Sequence, residues 1–162
     1  MKAVSFRTEF EDLLAAWPAP IVLKHLEGDT FMTLYQRPDF IEAHWQGHIT
    51  ASDVVTAAKV YLALLQRHTC SHKLLNDKTE VTGDWAEAND WMEFEWLPQV
   101  MRAGMRCMAH VYSGNMFSRL SARDLYLRVM PRLQMANFNN RANAIAWLTS
   151  RKPTQDSELT SP

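Results

Sequence analysis

Three of the six tryptophans of this chain fall in one helix-like run over residues 84–104. At about 100° per residue, one apolar stripe of this helix comprises Trp85, Ala88, Met92, Trp96, Val100 and Ala103. A second stripe on nearly the opposite side comprises Trp91, Phe94, Pro98 and Met101. The run therefore predicts a helix that packs on its own sheet with one face and buries the other against a second helix, a partner subunit or an apolar ligand.

The remaining pattern alternates between strand-like and helix-like runs. Strands are predicted at residues 21–26, 31–36, 40–47, 73–77, 106–112 and 132–138. Besides the tryptophan helix, helices are predicted at residues 6–17, from a capping box at Thr50 to His68, and at residues 115–130 and 141–148. A hairpin followed by alternating strands and helices predicts an α/β domain with a mixed sheet.

The length of 162 residues suits a single domain with a sizeable core. We expect this domain to span residues 20–149, after an extension over residues 1–19 that carries the short helix. From residue 150 to residue 162 the chain is polar and contains prolines, which predicts a disordered tail.

Charge and composition disfavour several classes of partner. Seventeen Lys and Arg residues against eighteen Asp and Glu residues give a net charge of −1, and no basic run is present. Nucleic acid and acidic lipid surfaces are therefore not expected as partners. No apolar run approaches the roughly 18 residues of a membrane span. The acidic residues Glu9, Glu11 and Asp12 argue against a signal peptide, so we expect a cytoplasmic protein in which Cys70 and Cys107 are reduced thiols.

A longer series of residues carries a family resemblance over roughly residues 31–148. The series is Trp45-x-Gly47, Leu74-Leu75-Asn76-Asp77, the Trp85 helix, Ala109-x-Val111-x-Ser113, Phe117-Ser118, Asn137-Phe138 and Ala146-Trp147-Leu148. In this order the chain resembles the SpoIIAA-like proteins of the STAS superfamily. Those are small bacterial domains related to anti-sigma factor antagonists and more distantly similar to CRAL-TRIO lipid-binding domains. The resemblance implies a mixed four- to five-stranded sheet with helices mainly on one face, self-association, and regulation or ligand sensing rather than catalysis.

The same resemblance implies a recognition loop after the strand that ends near Asp77. In the phosphorylated antagonists this loop carries an Asp-Ser-Ser-Gly-like motif, whose nearest match here is Thr82-Gly83, without the serine pair. A phosphate on Thr82 would lie at a helix N-terminus but would be repelled by Asp84, so ordinary N-capping by either residue is favoured. The candidate recognition residues are Asp77, Thr79, Thr82, Asp84 and Ser113.

Three groupings of reactive side chains carry weaker signals. His44 and His48 lie about 13 Å apart on a strand, too far for one metal ion. A histidine and cysteine cluster over residues 68–72 lacks a fourth ligand. Asp77, His110 and Ser113 have the residue types of a catalytic triad, but the chain has no Gly-x-Ser-x-Gly elbow. The dinucleotide and Walker glycine motifs are also missing from the sequence. We therefore expect no catalytic residue, no metal and no cofactor.

The sequence thus predicts a non-enzymatic regulatory or scaffold module that acts through protein–protein interaction and self-association, with a dimer favoured. Its expected interface is the second stripe of Trp91, Phe94, Pro98 and Met101, because acidic residues are interspersed along this helix in the manner of an interface rim. The alternative is a carrier or sensor of a small apolar, lipid-like ligand held in a pocket beneath the tryptophan helix.

Overall fold

The computed structural model describes residues 11–151 and contains a six-stranded mixed sheet. The strands, which also lie in this order in the sheet, are β1 (Ile21–Lys24), β2 (Thr30–Gln36), β3 (Ile41–His48), β4 (Lys73–Thr82), β5 (Cys107–Val111) and β6 (Gln134–Phe138). The first three strands pair antiparallel, and β3 to β6 pair parallel. The predicted α/β class is confirmed. The sheet is larger than the four or five strands expected, because β1 and β6 both pair as edge strands.

Three helices connect the parallel strands: α1 (Ala51–Arg67), the composite helix α2, and α3 (Met116–Val129). A further helix, α4 (Arg141–Ser150), follows β6. Helix α2 is the tryptophan helix, and it consists of consecutive stretches at Ala86–Ala88, Asn89–Trp91, Met92–Trp96 and Leu97–Arg102. Residues 11–15 are also helical. The predicted capping box is present, since the Thr50 hydroxyl accepts from the Asp53 N–H and the Asp53 carboxylate accepts from the Thr50 N–H.

The helices lie mainly on one face of the sheet, as predicted. The main core joins the sheet to α1, α2 and α3, and right-handed crossovers between successive parallel strands account for their shared face. Helix α4 packs on the opposite, outer face, where Ala144 and Leu148 contact Leu75 and Ala109 in a smaller core. Leu14 and Trp17, which precede the sheet, are buried in the main core. The predicted tail over residues 150–162 lies almost wholly outside the described residues.

Strand β4 continues well past the point where the sequence predicted a loop. Its partner β3 extends to His48, and the β-branched residues Thr79, Val81 and Thr82 suit a strand, so pairing persists to Thr82. The prediction of a recognition loop between Asp77 and Trp85 is therefore wrong for most of its length. The turn is confined to Gly83 and Asp84. Gly83 has φ +114°, and a Cβ there would lie 2.3 Å from the carbonyl oxygen of Ile49, which only glycine avoids.

A β-bulge interrupts the pairing of β3 with β4. His44 lies opposite Asp77 and Gln46 lies opposite Glu80, so two residues of β4 face the single residue Trp45. Those two residues are Lys78 and Thr79. Regular strand alternation places Leu74, Asn76 and Lys78 towards the main core and Asp77 on the outer face, and the bulge shifts this alternation only after Lys78.

Helix α2 contains a π-helical turn at Met92–Trp96, where the N–H of Leu97 donates to the carbonyl of Met92. The first predicted stripe is buried along most of its length, as expected. Of the second stripe, Phe94 is 67% exposed and Pro98 is exposed, whereas Trp91 and Met101 are half-buried against the main core. The role of this stripe as an interface stays a prediction.

None of the helices within residues 11–151 is long and apolar enough to cross a membrane.

Candidate ligand-binding cavity

A small cavity lies between the sheet and helices α1, α2 and α3. It offers about 40 Å³ to the centres of water molecules, which is room for a few waters. Its wall is mainly apolar and includes three methionines, Met32, Met92 and Met108. Because methionine side chains are unbranched and adaptable, this wall can yield to an occupant larger than the preformed space.

One charged residue, Lys78, lines this apolar cavity. The side chain is 1% exposed, and its Nζ lies 3.6 Å from the ring centroid of Trp85 and 4.6 Å from that of Trp45. Within residues 11–151 the Lys78 amine has neither a carboxylate nor a hydrogen-bond acceptor as a partner. Burial lowers the pKa of Lys78 well below its ordinary value. The two indole faces are close to the amine and favour its charged form.

The indole rings around Lys78 are held by hydrogen bonds. Trp85 Nε1 donates to Ser118 Oγ at 3.1 Å, and Trp45 Nε1 donates to Asn76 Oδ1 at 2.6 Å. Asn76 Nδ2 lies 3.2 Å from His110 Nδ1, so the amide can donate to a neutral imidazole. Burial, together with the charge of Lys78, lowers the pKa of His110 well below its ordinary value. The polar groups that hold the indole rings are therefore neutral, and they are already hydrogen-bonded.

Tyr61 contributes a second polar atom without a partner. Tyr61 lines the same cavity, and its hydroxyl is buried with no hydrogen-bond partner in the part of the chain that the structure describes. Burial raises the pKa of the Tyr61 phenol far above its ordinary value, so the group remains a neutral donor. Two lining residues thus carry a buried donor without an acceptor, although buried polar groups are usually paired.

A separate ionic cluster occupies the outer face of the sheet. Arg141 of α4 binds both carboxylate oxygens of Glu42, at 2.6 and 2.7 Å, and reaches Asp77 at 3.1 Å. Desolvation raises the pKa values of Glu42 and Asp77, but hydrogen bonds outweigh it and lower both. For Glu42 they come from Arg141 and Arg37, and for Asp77 from Thr79 and then Arg141. Glu42, His44 and Asp77 are close enough to share a cation. Because both carboxylates already accept from Arg141, the cluster is built as an ion-pair network.

Comparison with protein-family models, curated proteins and solved structures found no match to this chain. The resemblance to the SpoIIAA-like family accordingly stays a proposal that rests on the quoted residues. Because one fold supports many functions, the function has to be argued from the geometry of the site itself.

The predicted recognition residues do not form one site. Asp77 and Thr79 belong to the outer-face cluster, where Thr79 donates to Asp77. The Thr82 hydroxyl contacts His48, and Asp84 accepts from the Ala86 N–H, which is the capping role considered for it. The Ser113 hydroxyl donates to the carbonyl of Val81.

The three residues of the considered triad are not assembled either. Asp77 lies on the outer face of β4, whereas His110 of β5 points into the main core and contacts Asn76. Ser113 is committed to the backbone carbonyl of Val81. His110 is instead a buried core histidine that is hydrogen-bonded to the Asn76 amide.

The considered metal groupings are dispersed as well. His44 and His48 lie on one strand, and their rings contact Glu80 and Thr82 respectively. In the cluster over residues 68–72, the two histidines and the cysteine hydrogen-bond three different backbone carbonyls. Cys70 and Cys107 are both free thiols.

Neither Lys78 nor Arg141 was among the predicted site residues. The polar run Asn76-Asp77-Lys78-Thr79 is typical of a loop, so the strand was predicted to end at Asp77 and Lys78 was not placed on the core-facing side of a strand. Glu42, a charged residue between Ile41 and Ala43 in a predicted strand, was the available signal for a buried ion pair.

Proposed function

We propose that this protein binds a small apolar ligand in the cavity beneath α2, as a carrier or sensor. The observation that carries the proposal is the position of Lys78, an amine without a counter-ion at an otherwise apolar cavity. A buried unpaired amine destabilises a fold, whereas an apolar side chain of similar size would fill the same volume at no such cost. Its presence is therefore better explained by an occupant than by packing. Three adaptable methionines and hydrogen-bonded tryptophans suit a pocket with fixed walls and some room to expand.

Freshly purified protein is expected to retain a small molecule that native mass spectrometry detects as extra mass. An Ala57→Leu variant should lose it, because Ala57 lines the cavity and the added side chain would fill the space. Ala63→Leu is the matched control. It lies on the same helix and packs against the main core without lining the cavity. The proposal is contradicted if no extra mass is present, or if Ala57→Leu retains it while folded.

A second candidate function is the regulatory or scaffold module that associates with a second copy of itself. The supporting observation is on α3, where four large apolar side chains are between 56% and 73% exposed: Met116, Phe117, Leu120 and Leu127. Exposed apolar side chains gathered on one helix favour a protein interface. The α3 residues fit this role better than the stripe on α2, whose Trp91 and Met101 already pack against the main core.

If self-association occurs through α3, Leu127→Glu should shift the protein to a smaller species on size exclusion at micromolar concentration. Phe94→Glu is the matched control, since Phe94 is similarly exposed but lies on α2. Both variants should keep the wild-type stability to within about 0.5 kcal/mol, as is usual for surface changes. An unchanged elution volume for Leu127→Glu, or a shift caused by Phe94→Glu instead, would contradict the α3 interface.

A further inference from the structure

We infer that the apolar ligand of this cavity is a small aldehyde or ketone, which the Lys78 amine binds covalently as an imine. This ligand class rests on the proposed function of the cavity as a binding site. The Lys78 Nζ lies 3.6 and 4.6 Å from the ring centroids of Trp85 and Trp45, and all three residues line the same space. A carbonyl compound that enters the cavity therefore reaches a wall that contains an amine.

The surroundings of the Lys78 amine favour its neutral form. None of the described residues that line the cavity is Asp or Glu, and the carboxylates of Glu42 and Asp77 are bound by Arg141 on the outer face. Burial lowers the pKa of Lys78 well below its ordinary value. A lysine desolvated in an apolar pocket is an activated nucleophile, because the neutral amine has a free electron pair with which to attack a carbonyl carbon.

The reaction needs only the amine and the carbonyl compound. The lone pair of Nζ attacks the carbonyl carbon and forms a C–N bond, while the π electrons move to the oxygen and one amine proton passes to it. The C–O bond of this carbinolamine then breaks, a C=N bond forms, and the oxygen leaves as water with the second amine proton. Nothing is oxidised or reduced. The neutral imine has no N–H donor and no charge, so its formation removes the cost of burying an unpaired amine.

The polar groups near Lys78 favour a neutral carbonyl compound over an anion. An anion would lose its hydration on entering the apolar cavity, and desolvation of both ions offsets the gain from pairing with a charged Lys78. The Asn76 side chain offers it little help, since its oxygen accepts from Trp45 and its amide contacts His110. An aldehyde or ketone brings one uncharged oxygen, and this oxygen departs as water.

The rest of the cavity limits the chain of the ligand. The preformed space of about 40 Å³ holds a few waters. A chain of several carbons would therefore have to displace Met32, Met92 or Met108, which line the wall and are adaptable. These features favour a short apolar chain over a long one.

The test treats the full chain with hexanal and sodium cyanoborohydride, which reduces an imine to a stable secondary amine. The wild type should gain the mass of one hexyl group, and peptide mapping should place this group on Lys78. The neutral fraction of a protonated amine changes about tenfold with each pH unit, so Lys78 should be labelled at least about tenfold more than the exposed Lys59 at neutral pH. Mapping compares the two lysines within one protein, so this result does not depend on the folding of a variant.

Hexan-1-ol is the matched control ligand, because it has the same chain and no carbonyl carbon. In calorimetric titration it should bind both the wild type and Lys78→Met, and its presence should suppress labelling of Lys78. Lys78→Met should lose the label, whereas Lys59→Met should keep it. Ala57→Leu should lose both the label and the binding of hexan-1-ol, because the added side chain fills the cavity.

These measurements separate the imine from the proposed function. Labelling of Lys78 that does not exceed that of Lys59, together with hexan-1-ol binding that Ala57→Leu abolishes, would overturn the imine and leave the cavity function standing. Labelling or hexan-1-ol binding that survives in folded Ala57→Leu would count against both. The absence of both labelling at Lys78 and hexan-1-ol binding at millimolar concentration would also count against both.

Discussion

Replacing Arg141 with methionine should lower the free energy of unfolding by about 3 kcal/mol at neutral pH. The change leaves the carboxylates of Glu42 and Asp77, whose side chains are 3% and 5% exposed, without their shared guanidinium. Removing one partner of a buried ion pair typically costs about 3–5 kcal/mol. We take the lower end, because Arg141 itself is 41% exposed and Arg37 remains 2.9 Å from Glu42. Denaturant unfolding of both proteins measures the difference.

The loss caused by Arg141→Met should shrink as the pH falls. In the wild type the pKa values of Glu42 and Asp77 are lowered. Their contribution to the free energy of unfolding is therefore fully present above the pKa values of the unfolded chain, at about pH 4–4.5. This contribution is lost as the pH falls through the lower pKa values of the folded protein. Once the pH falls below these lowered pKa values the carboxylates are protonated, and Arg141 no longer has charged partners to stabilise. The difference between the two unfolding free energies should therefore shrink as the pH falls below the ordinary carboxylate range of about 4.

The matched control is Arg132→Met. Arg132 is 50% exposed and reaches Glu93 at 3.4 Å, so its removal should cost less than about 0.5 kcal/mol and show little pH dependence. A similar loss from both arginine variants, or a loss in Arg141→Met that is as large in acid as at neutral pH, would show that the outer-face cluster does not stabilise the fold through its charges.

Local signals in the sequence were enough to predict most elements of the fold. The Thr50 and Asp53 capping box places the start of α1, and Asn115 caps α3 through the Ser118 N–H. Alternation of strands and helices then predicts a mixed sheet, and right-handed crossovers place three helices on one face. Each of these signals depends on residues close together in the chain, which is why the sequence alone contains them.

The candidate site depends on contacts between residues far apart in the chain. Lys78 enters the core because β4 continues past Asp77 in its pairing with β3, so that Lys78 shares the core-facing alternation of Leu74 and Asn76. Arg141 and Glu42 meet across 99 positions of sequence. The π turn in α2 departs from the regular 100° spacing, and a sequence pattern analysed at that spacing does not contain it. A cavity is likewise a property of packing, and a sequence pattern of apolar residues cannot distinguish a filled core from an incomplete one.

Replacing Lys78 with methionine should raise the free energy of unfolding by about 2 kcal/mol at neutral pH. Methionine matches the length of the lysine stem and fits the apolar wall, while the change removes an amine that is 1% exposed and unpaired within the described residues. Substituting buried charged groups with apolar side chains of similar volume is often stabilising by about 1–4 kcal/mol. The middle of this range is expected because contacts with the faces of Trp45 and Trp85 already offset part of the desolvation of the ammonium.

The gain should depend on pH in a way that identifies its cause. Burial lowers the pKa of Lys78, so the unfolded chain binds more protons than the folded one and the wild type becomes more stable as the pH rises towards the unfolded pKa of about 10.4. The advantage of Lys78→Met should therefore be larger at pH 7 than at pH 10. Lys59→Met, at an exposed position, should change the unfolding free energy by less than about 0.5 kcal/mol at either pH. A Lys78→Met protein that is less stable than the wild type, or whose gain is the same at pH 7 and pH 10, would mean that the amine is satisfied in the free protein. In that case Lys78 would be a structural residue, and the main argument for a ligand would be lost.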